Sequence, residues 1–241
     1  MWVKVKITIA ATGDVHSPRY LRQFVEAVDR HRGRADLVLL AGDMVLKGDH
    51  GEFARVLEFV ERLGSPIVAV FGNEEFDESK PALIEGYGDR VTWLDDQAVE
   101  VEVAGTRVWI VGSRGSLRRP TTWQRKHVPG IEEIYRRRVE LIDELLARAG
   151  GRPSILLTHY APTFRTLVGE NRRIWPMLGN PALERVIKRR RPALVVHGHA
   201  HRGAKRADVS GIPVYNVSLP VWWEIVRIEL SPPSSGLEQF F

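Results

Sequence analysis

The chain has 241 residues, 44% hydrophobic and 27% charged, with no cysteine. That composition suits one large domain with a real core, and it excludes disulfides, thiolate metal sites and a cysteine nucleophile. The net charge of +5 favours anionic partners such as phosphates, nucleic acid or acidic lipid, although an arginine-rich surface alone gives the same balance.

The N-terminal "MWVKVKITIAATGD" alternates as a strand and lacks the continuous apolar centre of a signal peptide. No run of about 18 apolar residues occurs, so no membrane span is expected. With the absence of cysteine, this makes a soluble, cytoplasmic protein the expectation. Next comes "SPRYLRQFVEAVDRHR", whose Leu21, Phe24, Val25 and Val28 fall on one helical face. Ser17 is the expected N-cap, with Pro18 at the first helical position. "ADLVLLAGD" reads as a strand buried on both faces. A second helix follows with Phe53, Val56, Leu57 and Val60, then a third buried strand, "PIVAVFGN". This β-α-β-α-β start predicts parallel strands with right-handed crossovers.

The middle, "VTWLDDQAVEVEVAGTRVWIVGS", predicts short alternating strands around a hairpin turn at "AGT". A basic loop (Arg114 to Gly130), a helix (Ile131 to Ala149), the strand "SILLTHYAP" and a polar insert (Thr163 to Asn180) come next. The helix "PALERVIKRRR" leads into the strand "ALVVHGHAH", and its basic end complements the helix dipole. Two more strands, "IPVYNVSL" and "WWEIVRIEL", close the predicted domain, the second carrying Trp222 and Trp223. The expectation is one α/β domain over residues 1–230, parallel first and mixed later. A linker and short tail would fill 231–241, where Phe240 and Phe241 either touch another subunit of a homo-oligomer or fray.

Polar residues collect where the buried strands end: Asp14 and His16, Asp43, Asn73, His159, then His199 and His201. Ligands of parallel α/β sheets bind at strand C-termini. His, carboxylate and amide oxygen without thiolate suit two divalent ions such as Mn, Fe, Ni or Zn. Alternation along extended strand ends would point Asp14 and His16 the same way, and likewise His199 and His201. His197 is expected to pack in its strand, and His31, His50 and His127 to lie on the surface. Gly42, Gly72 and Gly198 are expected where a Cβ would crowd the turn.

The ordered set "GDVH", "GDMV", "GNE", "THYAP" and "GHAH" resembles the calcineurin-like metallophosphoesterase superfamily, from Gly13 to His201. The resemblance implies a four-layer αββα sandwich of two mixed β-sheets. It implies a dinuclear site in which Asp14, His16, Asp43 and His201 hold one metal and Asn73, His159 and His199 the other, with Asp43 bridging. A metal-bound hydroxide would attack a phosphate ester in line, with Asn73 helping to position the phosphate. Many superfamily members carry a histidine where this chain has Glu74, and that histidine is thought to protonate the leaving alkoxide or bind phosphate. Glu74 is therefore a substitute acid, a group that reshapes substrate choice, or a solvated bystander. By analogy with members lacking the histidine, a phosphodiesterase is expected over a phosphomonoesterase.

Two basic inserts flank this edge: Arg114, Arg118, Arg119, Trp123, Arg125 and Lys126, then Arg165, Arg172, Arg173 and Trp175. They suit a nucleotide or nucleic-acid substrate if they grip phosphate and stack a base; otherwise they are salt-bridged loops with tryptophan anchors. The expectation is a dinuclear-metal phosphodiesterase on a nucleotide-type substrate, with Asp43, Asn73 and Glu74 as the catalytic candidates. The alternatives are a metal-dependent nuclease, whose binding would weaken steeply with salt, and a weakly catalytic binding module of the same fold.

Overall fold

The computed structural model describes residues 6–231. The expected tail therefore lies outside the described residues from 232 onward. The first half runs β1 (Ile7–Thr12), α1 (Leu21–Arg30), β2 (Leu37–Leu40), α2 (Phe53–Leu63), β3 (Ile67–Val70), α3 (Lys80–Tyr87) and β4 (Thr92–Leu94). The second half runs β5 (Gln97–Val103), β6 (Thr106–Ser113), α4 (Thr122–His127), α5 (Ile131–Ala147), β7 (Ser154–Thr158), α6 (Leu183–Arg190), β8 (Leu194–His197), β9 (Arg206–Val209), β10 (Ile212–Asn216), α7 (Leu219–Trp222) and β11 (Val226–Leu230).

One sheet has the order β11-β1-β2-β3-β4, the other β5-β6-β7-β8-β10-β9. β1 to β4 are parallel, with β11 antiparallel at the edge. In the second sheet β6, β7, β8 and β10 are parallel, and antiparallel β5 and β9 close the two edges.

The period-2 geometry of a strand explains the layering. Leu37 and Leu39 of β2 face the second sheet and pack with Ile110, Ile155 and Leu157. Val38 and Leu40 face outward onto α1 and α2 through Phe24, Val28, Val56 and Val60. α5 and α6 cover the far face of the second sheet, with Ile142, Leu145 and Ile187 against Leu156 and Val195. The result is the expected helix–sheet–sheet–helix sandwich. The "AGT" turn also forms as expected: Ala104 and Gly105 both have positive φ, as a two-residue hairpin demands.

Several local expectations fail. α1 starts at Leu21 and its N-cap position is Tyr20, not Ser17. Ser17 is instead tied into the neighbouring loop, its amide donating to the Met44 carbonyl (3.0 Å) and its hydroxyl to Glu52 (2.7 Å). Trp222 and Trp223 are not in a strand; Trp222 ends α7 and Trp223 caps it in the left-handed conformation. The Trp222 indole donates to the Asn216 carbonyl (2.7 Å), which holds it against the core. The basic loop 114–130 contains the short helix α4, fixed by a Thr121/Gln124 capping box.

Asp143 of α5 clamps the C-terminal turn of α6, 2.7 Å from Arg189 and 2.9 Å from Arg190. The Arg190 hydrogen bond, with Arg189 beside it, holds its carboxyl below the usual range. A depressed pKa contributes stability that is present above the unfolded value of about 4 and lost as pH falls through the folded one. Discounted for solvent screening, Asp143→Asn should lower Tm by roughly 2 °C at pH 7. Thermal melts should show that difference closing towards pH 3.

Candidate metal centre

The seven predicted ligand residues meet at one end of the sandwich, but not by the expected route. β1 stops at Thr12 and β8 at His197, so no extended strand end carries the motif side chains. Asp14 (φ 59°), His16 (φ 46°), Asp43 (φ 53°) and His199 (φ 67°) all sit in the left-handed region. Side chains are aimed by tight turns, and alternation plays no part. Asp and His tolerate that region better than most residues, yet it still costs about 1–2 kcal/mol each, and such conformations persist only where their surroundings over-determine them.

Those surroundings are visible. The Asp14 amide donates to Gly42 O (2.9 Å) and the His16 amide to Asp43 O (2.9 Å), which sews the first two motif turns together. The Asp14 carboxylate accepts the His199 amide at 2.9 and 3.1 Å. A Cβ on Gly72 would collide with Asp43, and one on Gly198 would lie 2.7 Å from Asp14 Oδ2, so both glycines are required by close approach.

Glu75 is the residue that motif spacing did not single out as structural. Its side chain is fully buried, and it accepts four backbone amides: Oε1 takes Met44 (2.6 Å) and Val45 (3.1 Å), while Oε2 takes Asp43 (2.8 Å) and Gly72 (2.6 Å). Burial nevertheless pushes its pKa up. Glu74 behaves differently: it is partly exposed, its Oε2 accepts the Lys47 amide (2.9 Å), and its own amide donates to Asp43 Oδ1 (2.7 Å).

Two candidate cation clusters follow, Asp14–His16–His201 and Asp43–His159–His199. His16 Nε2 lies 3.4 Å from His201 Nε2 and 3.8 Å from Asp43 Oδ2. The same Asp43 oxygen lies 3.4 Å from His159 Nε2, which in turn is 3.1 Å from Asn73 Oδ1. Ligand atoms about 2.1 Å from one ion, at tetrahedral angles, lie roughly 3.4 Å apart. Asp43 Oδ2 therefore faces both groups.

The electrostatics fit cations. Burial pushes the pKa of His159 well down, that of His199 down to about 4 and that of His16 down, so these rings are neutral lone-pair donors at pH 7. Burial opposes the charge on His201 too, but the hydrogen bond and charge of Asp14 outweigh it and raise that pKa. Burial, then the charges of Glu75 and Asp14, push Asp43 well above the carboxylate range. Burial likewise opposes ionisation of Asp14, yet its hydrogen bond with His201 and the neighbouring histidines hold it below that range. Among the described residues neither aspartate pairs with a lysine or arginine; their ion-pair contacts are histidines. Buried carboxylates without a cationic partner are the donor set that divalent ions satisfy. His159 Nδ1 lies 2.9 Å from the Ala41 carbonyl, which fixes the tautomer and leaves Nε2 free towards Asp43. His197 is not part of this set: it is buried, with its ring between Gly198 O and the Thr166 hydroxyl.

A cleft of about 990 Å³ opens from Asn73 and His199 and runs past Arg114, Tyr160 and Tyr135 towards Trp123. Of the basic and tryptophan residues singled out in the two inserts, Arg114 and Trp123 line it, and the second insert contributes Met177 instead. Arg165 faces Glu184, Arg172 lies over Trp175, and Trp175 packs beside Phe164 and Leu178 as an anchor. The inserts are joined by backbone hydrogen bonds, Arg118 to Gly179 (3.0 Å) and Arg119 to Pro176 (2.8 Å). No helix among the described residues is long and apolar enough to cross a membrane.

A two-sheet sandwich with a histidine–aspartate cluster at its strand ends defines a class of dinuclear phosphoester-hydrolysing proteins. The chain belongs to the calcineurin-like phosphoesterase family, whose sequence profile matches residues 7–203. It is 26% identical, over 95% of its length and 84% of the relative's, to a probable cyclic nucleotide phosphodiesterase of Synechococcus sp.. Among solved structures it is similar to the phosphopantetheinyl hydrolase of Mycobacterium tuberculosis, with a TM-score of 0.71, 15% identity and coverage of 93% and 97% of the two chains. It is also similar to TT1561 of Thermus thermophilus, with a TM-score of 0.58, 16% identity and coverage of 93% and 99%. The fold and the two clusters thus support a site capable of phosphoester hydrolysis.

Glu75→Gln tests the buried carboxylate. Whichever way its amide turns, two of the four backbone donors would face an NH2 group. Unpaired buried donors cost about 1–3 kcal/mol each, so stability should fall by roughly 2–5 kcal/mol. A urea midpoint unchanged from the wild type would rule out this role.

Proposed function

We propose that residues 1–230 form one catalytic domain, a dinuclear-metal phosphodiesterase acting on a small nucleotide-type ester. The observation that carries the proposal is the pair of buried aspartates, which among the described residues have no lysine or arginine partner, beside a walled cleft whose lining includes Asn73 and His199. The similarity to a probable cyclic nucleotide phosphodiesterase supports the diester preference. When bound, two divalent ions would supply Lewis acidity and charge neutralisation at the phosphate.

Each residue has a part in that arrangement. Asp14, His16 and His201 would hold one ion and Asn73, His159 and His199 the other, with Asp43 shared between them. Its Oδ1 is fixed by the Glu74 amide, which leaves Oδ2 towards both groups. Asn73 would also position phosphate, and its own amide nitrogen sits 3.5 Å from Glu74 Oε1. Glu74, bound to the Lys47 amide, would orient Asn73 and give little help to a poor leaving group. A small ester is better supported than a polynucleotide, because Arg165 and Arg172 of the second insert have partners of their own away from the cleft.

Two outcomes test this. Asp43→Asn should lower hydrolysis of bis-p-nitrophenyl phosphate in Mn²⁺ by more than about 100-fold and reduce bound metal measured by elemental analysis; undiminished turnover would refute the mechanism. Glu74→His should raise cleavage of alkyl esters relative to p-nitrophenyl esters by about 10²-fold, the usual gain from a positioned general acid. An unchanged ratio would make Glu74 a bystander to ester choice.

A further inference from the structure

Half of the large apolar side chains exposed among the described residues line one cleft: Phe76, Trp123 and Ile134. Trp123 is the most exposed of them, at 64%. It lies on α4, and one face of its indole stacks on His127 one turn later, with ring centroids 4.7 Å apart and planes 24° apart. The short helix is held in place. Its capping box fixes Gln124, and the Gln124 amide reaches the Tyr160 hydroxyl at 3.4 Å. The Tyr160 ring in turn packs against the metal-cluster histidines His159 and His199, with centroids 5.3 and 4.8 Å away. The roof of the cleft is thus tied to the site where phosphate would sit.

The cations of the cleft are already matched. Arg114 donates to the Glu75 carbonyl and to Asp77 (both 3.0 Å), Arg138 to Asp96 (2.8 Å) and to the Gly115 carbonyl (3.1 Å), and Lys80 pairs with Asp77 and Asp95. A second phosphate would have to compete with these carboxylates. The wall beyond them is apolar, built from Leu117, Val128, Ile131 and Ile134.

We infer that Trp123 and this apolar wall form a subsite for a flat aromatic ring carried by the substrate, a nucleobase joined to the reacting phosphate through one sugar. The inference rests on the phosphoesterase proposal and adds to it a specificity-determining residue outside the metal-binding motifs. Its physical basis is sequence-tolerant: any base presents a π-face to an indole, while an alkyl chain gains only area.

Calorimetric titration of the Mn²⁺-loaded protein tests it without relying on turnover. Adenosine 5′-monophosphate and ribose 5-phosphate differ only by the base. The wild type should bind the nucleotide roughly tenfold more tightly. Trp123→Ala should erase that difference without changing the affinity for ribose 5-phosphate, Trp123→Phe should keep most of it, and Arg125→Ala should leave it intact. Equal binding of the two ligands by the wild type, or an equal loss of both in Trp123→Ala, would overturn the subsite alone. Failure of either ligand and of inorganic phosphate to bind would overturn the phosphoesterase proposal and the subsite together.

Discussion

The interaction on which the site depends is the buried carboxylate of Glu75. β2 and β3 pair in parallel up to Leu40 and Ala69, and beyond that point the ladder has no further rungs. The amides of Asp43, Met44, Val45 and Gly72 would then be buried without acceptors. One side chain takes all four. It replaces the missing rungs at the place where the chain must leave sheet geometry to aim Asp43. Orphaned backbone donors are among the costliest defects a buried loop can carry, so this acceptor is what makes the left-handed turn at Asp43 affordable.

The charge balance follows from the same burial. Removing His16, His159 and His199 from water keeps them neutral and so makes them lone-pair donors. Removing Asp43 and Glu75 from water pushes both towards the protonated form, and the neutral rings do nothing to hold them ionised. Two divalent cations at the candidate clusters would favour the ionised carboxylates and use the neutral rings as ligands. The cleft beside them is arranged oppositely, with each of its basic groups already facing an acid or a carbonyl.

Much of this was legible in the sequence. The continuous apolar runs at Leu37–Leu40 and Ile67–Val70 read as strands because both their faces are buried, and the helical stripe of α2 reads because one face is. The donor residues of both clusters were legible because polar groups directly after buried strands have few other reasons to be there. Other features were not. α3 buries only Leu83, so it has no apolar face to detect, and β9 is an edge strand whose only buried residue is Val209. The turns that aim Asp14 and His199 depend on hydrogen bonds between segments some 185 residues apart, which no local pattern encodes. Glu74 and Glu75 are adjacent and chemically alike, and only the packing distinguishes the solvent-facing carboxylate from the buried one. Trp123 and Trp175 looked equivalent for the same reason; one is a packing anchor and the other a free aromatic surface.

The hydrogen bonds that join the two inserts have a consequence for how such a protein can diverge. Because the backbones at Arg118 and Arg119 are read by Pro176 and Gly179, neither insert can gain or lose residues at that seam alone. A deletion in one would strand the donors or acceptors of the other. The rim of the cleft is therefore inherited as a matched pair of loops, and new substrate preferences are more accessible through single side-chain changes on α4 than through remodelling either loop.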